Sequence, residues 1–93
     1  MKEQNNNTIG VYKIETDPIS NEDNATFLFY DEFPDEKVAE LKSRARDARE
    51  ATLYTATAKF LRLARTTNEE ELWVNVVEVE SIVLPQTSIK PQL

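Results

Sequence analysis

Residues 50–84 read EATLYTATAKFLRLARTTNEEELWVNVVEVESIVL, and the way this stretch folds decides the architecture. Two alternating runs rich in Val, Thr, Leu and aromatics flank the polar segment RTTNEEE, residues 65–71. A period of two in such residues is the signature of strands. Residues 51–64 are therefore expected to pair antiparallel with residues 71–84 across the polar turn. In the first run Tyr54, Ala56, Ala58 and Phe60 share a face opposite Leu53, Thr55, Thr57 and Lys59. The small residues at 56 and 58 leave room for a helix. In the second run the apolar face passes from Leu72, Val74 and Val76 to Val77, Val79 and Val83, with Ser81 among them. This change of parity at Val76–Val77 predicts a bulge or sharp bend.

Working back toward the N-terminus, Pro34 opens a helix expected over 34–49. Proline is tolerated in a first turn, where its missing N–H is no loss, and Asp35 and Glu36 complement the helix dipole there. Val38, Leu41, Ala45 and Ala48 recur at helical spacing and form one narrow apolar stripe. Glu40 with Arg44, and Arg46 with Glu50, stand at i,i+4 on the solvated sides. Before the helix, ATFLFYDE (25–32) reads as a strand with Phe27 and Phe29 on one face and Leu28 and Tyr30 on the other. TIGVYKIET (8–16) reads as another, with apolar residues on both faces. Gly10, the only glycine, marks a bulge or a close approach of backbones within it. DPISNEDN between them is a loop. The expected core comprises Val38, Leu41, Ala45, Tyr54, Phe60, Val74 and Val79, joined by Phe27 and Phe29.

Composition narrows the function. A chain of 93 residues, 40% apolar and 30% charged, is one globular domain. It is expected over 8–85, with polar tails at 1–7 and 86–93. No apolar run approaches the ~20 residues of a membrane span, and MKEQNNNTIG has no apolar segment resembling a signal peptide. The expected location is cytoplasmic, and the sequons NNT and NAT carry no weight there. LPQTS (84–88) matches a cell-wall sorting signal only superficially, because serine stands where glycine is required. There is neither cysteine nor histidine, which removes the thiolate nucleophile, the usual general base and the usual metal ligands. No enzyme activity, metal or cofactor is expected.

Strand, strand, helix, strand, strand over residues 8–85 resembles a small OB-fold domain of the tRNA-anticodon-binding-like kind. The resemblance rests on FLFYDE, the helix, TATAKFLRL and LWVNVVEVESIVL. It implies a mainly β, α+β fold in which an antiparallel barrel carries one helix, and oligonucleotide binding on the barrel face. The third strand that such barrels place before their helix would have to come from a split of residues 8–20. An open antiparallel sheet with one packed helix is the other arrangement compatible with these elements.

Charge is unevenly distributed. The net charge is −6, yet residues 42–65 carry +5 and the remainder −11. Lys42, Arg46 and Arg49 would share a face if the helix ran to its expected end, and Lys59, Arg62 and Arg65 would extend the basic patch along the next strand. Tyr12, Tyr30 or Trp73, if exposed, would offer stacking platforms for bases. This reading gives a non-enzymatic accessory module that contacts single-stranded nucleic acid, or a nucleoprotein complex, through its central basic segment. The alternative uses the acidic side: Asp31, Glu32, Glu69, Glu70 and Glu71 would engage a basic protein partner, as an adaptor or as an inhibitor that mimics nucleic acid. A third possibility is a structural subunit whose exposed edge strand pairs with another chain.

Overall fold

A computed structural model describes residues 7–63 and 71–84. Its longest ladder joins β1 (Asn7–Thr16) and β2 (Asp23–Phe33), antiparallel from Asn7↔Phe33 to Thr16↔Asp23. The loop between them is built by Asp17. Its carboxylate accepts the Ile19 N–H at 2.8 Å, its carbonyl accepts the Asn21 N–H at 2.8 Å, and Asn21 takes the left-handed conformation at φ 66°. Asn and Asp tolerate such turns because their short polar side chains bond locally. Asn7, expected in the tail, instead opens β1. Its side-chain amide donates to the Phe33 carbonyl at 3.1 Å and to Asp35 Oδ1 at 2.6 Å.

The ladder contains one bulge. Val11 faces Phe29 and Tyr12 faces Phe27, which leaves Leu28 as the extra residue. The irregularity expected at Gly10 thus falls on the partner strand, close to it. Gly10 serves a close approach: a Cβ there would lie 3.2 Å from Phe27 Cε1 and 3.3 Å from Glu78 Oε1.

After β2 comes α1 (Asp35–Ser43), entered from Pro34, whose carbonyl accepts the N–H groups of Lys37 and Val38. The helix is shorter than the expected 34–49. Arg44 turns its N–H to the Leu41 carbonyl at 3.0 Å, and Ala45–Asp47 continue as a 3-10 turn. Ala48 is then extended, and β3 (Arg49–Leu53) begins. Sheet pairing outweighs helix propensity from Arg49 onward. The apolar stripe survives the change because residues three apart align in a 3-10 turn. Val38 and Leu41 are fully buried, and Ala45 and Ala48 pack against the same core.

The long strand expected over 51–64 is a tight hairpin. β3 pairs antiparallel with β4 (Ala56–Arg62), and Leu53↔Ala56 closes a two-residue turn at Tyr54–Thr55. Tyr54 has φ 61° and is 83% exposed, so it lies outside the core in which its alternation places it. Only the second half of the expected pairing across residues 65–71 forms: β4 pairs antiparallel with β5 (Trp73–Asn75) from Phe60↔Asn75 to Arg62↔Trp73. At Val76, where the sequence parity changes, the chain enters α2 (Val76–Glu80). Asn75 caps it, accepting the Val77 N–H at 2.9 Å, as short polar side chains do at helix starts. Val76 and Val79 are buried and Val77 is exposed, which is helical and not strand periodicity.

β5 returns to β1 at Val11↔Val74 and Tyr12↔Trp73, and β2 meets β3 at Asn24↔Thr52 and Ala25↔Leu53. The five strands close in the order β1-β2-β3-β4-β5. The fold is mainly β, α+β, with an irregular ring and one main helix. The sheet is mixed, because the β2–β3 contact is parallel, where an all-antiparallel sheet was expected. Helix α1 makes this crossover, since parallel neighbours need a long connection. Residues 8–20 do not split into two strands.

Two apolar clusters result. One holds Ile9, Val11, Phe33, Val38, Leu41, Leu61, Val74, Val76 and Val79. The other lies on the opposite face of β1, where Tyr12 meets Ala25, Ala51, Phe60 and Trp73. Leu41 is wholly enclosed in the first. Leu41→Ala is expected to lower stability by about 2–5 kcal/mol in urea unfolding, and a loss under about 0.5 kcal/mol would place the helix stripe in solvent.

Candidate binding surface

The expected basic patch is mostly engaged within the molecule. Lys42, at the end of α1, donates to the Ile82 carbonyl beyond α2. Arg49 points two guanidinium nitrogens at Asp23 Oδ2, at 3.1 and 2.7 Å, and its guanidinium carbon stands 5.5 Å from the Trp73 ring centroid. Arg62 pairs with Glu71 at 3.1 Å. Arg46 and Lys59 are exposed, the first in the 3-10 turn and the second on β4 across from Glu50. The shared helix face of Lys42, Arg46 and Arg49 does not exist, because α1 ends at Ser43. Arg65, Glu69 and Glu70 lie outside the described residues.

Aromatic residues are distributed differently from expectation, and the bulge at Leu28 is the reason. One extra residue re-phases β2, so Phe27 and Tyr30 fall on the same face, with centroids 4.9 Å apart. Beneath them Tyr12 meets Phe27 edge-on at 5.7 Å and Phe60 at 5.2 Å. Such T-shaped contacts suit the quadrupoles of the rings. Tyr12 and Trp73 are buried and offer no stacking surface, whereas Phe27, Phe29 and Tyr30 are 37%, 45% and 70% exposed. The expected burial of Phe27 and Phe29 is therefore only partial. Beyond Tyr30 the strand continues into Asp31 and Glu32, both exposed. Among the described residues neither forms a salt bridge. Asp31 Oδ1 instead accepts the Glu32 N–H at 2.8 Å.

One carboxylate organises the other side of β1. Glu78 accepts the Gly10 N–H at 2.9 Å through Oε1 and the Tyr12 hydroxyl at 2.9 Å through Oε2. Burial, the hydrogen bond to Glu78 and the charge of that carboxylate, in that order, push the Tyr12 phenol far above its ordinary range. The Tyr54 and Tyr30 phenols add smaller contributions. At the loop end, Thr16 and then Arg49 hold the Asp23 carboxyl below its usual range by hydrogen bonding.

No group of three or more acidic side chains is placed to hold a metal among the described residues. No described helix is long and apolar enough to cross a membrane. The surface carries several hollows. One of about 310 Å³ is lined by Lys13, Ile14, Leu28 and Leu72 with Glu15 and Glu71. Comparison with known protein families, curated proteins and solved structures finds no match.

These groups set a pH profile. A phenol whose folded value is raised leaves stability unchanged below its unfolded value of about 10 and lowers it as pH rises further. A carboxyl whose folded value is depressed contributes above its unfolded value of about 3.9, and loses that contribution as pH falls through the folded one. Urea midpoints are accordingly expected to fall above about pH 10 in the native chain and to stay flat there in Tyr12→Phe. At neutral pH that variant is expected to lose about 1 kcal/mol with the Glu78 bond. Asp23→Asn is expected to flatten the acid limb. An unchanged alkaline limb in Tyr12→Phe would remove Tyr12 from the account.

Proposed function

We propose that this protein is a non-enzymatic binding module whose β2 strand engages a basic protein partner, as an adaptor or inhibitor. The observation that carries this reading is the run Phe27, Phe29, Tyr30, Asp31, Glu32. Its aromatics are part-exposed or exposed and lead directly into two exposed carboxylates. Protein interfaces are enriched in aromatic anchors, which combine large contact area with few rotatable bonds. Carboxylates at the rim steer a basic partner and set its register more than they add affinity.

Local pairing of the arginines supports the same assignment. With Arg49 on Asp23 and Arg62 on Glu71, a phosphate backbone would have to displace existing partners. The chain's overall charge of −6 also opposes approach of a polyanion, since phosphate neutralisation supplies most non-specific affinity for nucleic acid. Among the described residues of the expected patch, exposed Arg46 and Lys59 remain as those on which a nucleic-acid contact would depend.

Panning a random displayed-peptide library against the folded protein tests the assignment. The expected winners carry Lys or Arg beside aliphatic or aromatic residues, and they lose binding when Phe27 and Tyr30 are both changed to Ser. Fluorescent oligothymidylate at about 50 mM salt is expected not to bind up to about 100 μM, a range that even non-specific binders usually reach. Oligothymidylate binding that disappears in an Arg46→Ala, Lys59→Ala double variant would overturn the assignment in favour of a nucleic-acid module.

A further inference from the structure

The far edge of β2 is open over most of its length. β3 covers it only at Asn24 and Ala25, while β1 pairs the opposite edge as far as Phe33. Among the described residues no strand lies against residues 26–33 on that side.

Backbone directions on this edge follow from the ladder. In an antiparallel pair, facing residues alternately exchange both hydrogen bonds or none. The Gly10 N–H points away from β2, to Glu78. Gly10↔Tyr30 is therefore a pair that exchanges none, and the Tyr30 N–H and C=O face the open edge. Two residues on, Thr8↔Glu32 repeats the arrangement. The Glu32 N–H accordingly finds no backbone acceptor and takes the carboxylate of Asp31 at 2.8 Å. Charged residues and bulges are common protections of edge strands, and here Asp31 and the Leu28 bulge supply both. The protection is conditional. A carbonyl from an added strand would replace the Asp31 oxygen on the Glu32 N–H, and the released carboxylate would then need a cation.

We propose that the outer edge of β2, from Tyr30 to Glu32, takes up an extended, basic segment of the partner protein by strand addition. This rests on the assignment of β2 as the binding element, and it specifies the partner's form. Main-chain bonds to Tyr30 and Glu32 supply affinity, and side chains supply selectivity. A Lys or Arg in the added strand neutralises Asp31 or Glu32, and apolar residues lie against Tyr30 and Phe29. A second copy of this chain pairing edge to edge fits poorly, because each copy carries a net charge of −6 and residues 26–33 of its own edge include no Lys or Arg.

An alternating Lys–Val peptide is a suitable probe, compared with the same peptide N-methylated on alternate amides and with a Glu–Val peptide. Amide hydrogen exchange read by NMR is the measurement. In the free protein the Tyr30 amide is expected to exchange freely. With Lys–Val peptide the Tyr30 and Glu32 amides are expected to become protected. Asp31→Asn, which keeps an acceptor for the Glu32 N–H and removes the charge, is expected to weaken binding about two- to five-fold, the range of an exposed ion pair. Neither the N-methylated nor the Glu–Val peptide is expected to protect either amide.

Equal binding of the N-methylated peptide would overturn strand addition and leave the aromatic and acidic face as the binding surface. Binding of none of the basic peptides, together with an empty library screen, would overturn both. A Tyr30 amide already protected in the free protein would also overturn strand addition, either through a concentration-dependent dimer in sedimentation or, without one, through coverage by the chain itself.

Discussion

Closure of the ring depends on the carboxylate of Glu78. β5 is three residues long and reaches β1 at only two positions, Val11↔Val74 and Tyr12↔Trp73. Continued pairing would bring Asn75 opposite Gly10, but the chain turns into α2 immediately afterwards and leaves the Gly10 N–H without a strand partner. A buried N–H left unsatisfied costs about 1–3 kcal/mol. Glu78, on the first turn of α2, reaches back to accept it and accepts the Tyr12 hydroxyl with its other oxygen. One side chain thereby satisfies a broken ladder, fixes α2 against β1 and anchors the phenol that joins the second apolar cluster. Glycine at position 10 suits this arrangement, because a Cβ would press on both Phe27 and this carboxylate and each would have to give by a few tenths of an ångström.

The same point on β1 governs what β2 displays. Phe27 packs over Gly10 and edge-on to Tyr12, and the Leu28 bulge brings Tyr30 beside it. Without the extra residue, strict alternation would put Phe27 and Phe29 together and send Tyr30 to the other face. The bulge thus converts an ordinary half-buried strand into one with an aromatic cluster on one side and Phe29 partly exposed on the other. The interior constraint and the candidate binding surface are two consequences of one local geometry.

Much of this was legible in the residues. The start of α1 was legible to within one residue, at Asp35 with Pro34 as its extended cap, and the burial of Val38, Leu41, Phe60, Val74 and Val79 followed from periodicity. The double valine at 76–77 correctly marked a discontinuity. Its nature was hidden, because VVEVE has the β-branched composition of a strand and becomes a helix only through burial of Val76 and Val79 and the cap at Asn75. The β3–β4 hairpin gave no local sign. Its turn holds Tyr54 and Thr55, with no Gly, Asn or Asp at a position that needs φ above zero, so tertiary pairing imposes a conformation the side chain resists. The end of α1 was obscured similarly, since Arg46 and Arg49 continue a good helical pattern that strand pairing at Arg49 cancels.

Charge shows the sharpest difference between a count along the chain and an arrangement in space. Residues 42–65 sum to a positive segment, but folding brings acids from elsewhere onto its arginines: Asp23 across from β2 and Glu71 from beyond β4. Each such pair is worth little in stability at an exposed position. Its effect on recognition is larger, because a guanidinium already held by a carboxylate presents a weakened field to a phosphate. Asp31 and Glu32 have no such partners among the described residues, and Asp31 turns inward to its own strand's backbone. Two acids without a salt bridge among the described residues thus stand beside open backbone groups and exposed aromatic rings. A basic, extended segment of the kind proposed would meet attraction, apolar contact and hydrogen-bond valence on the same few residues.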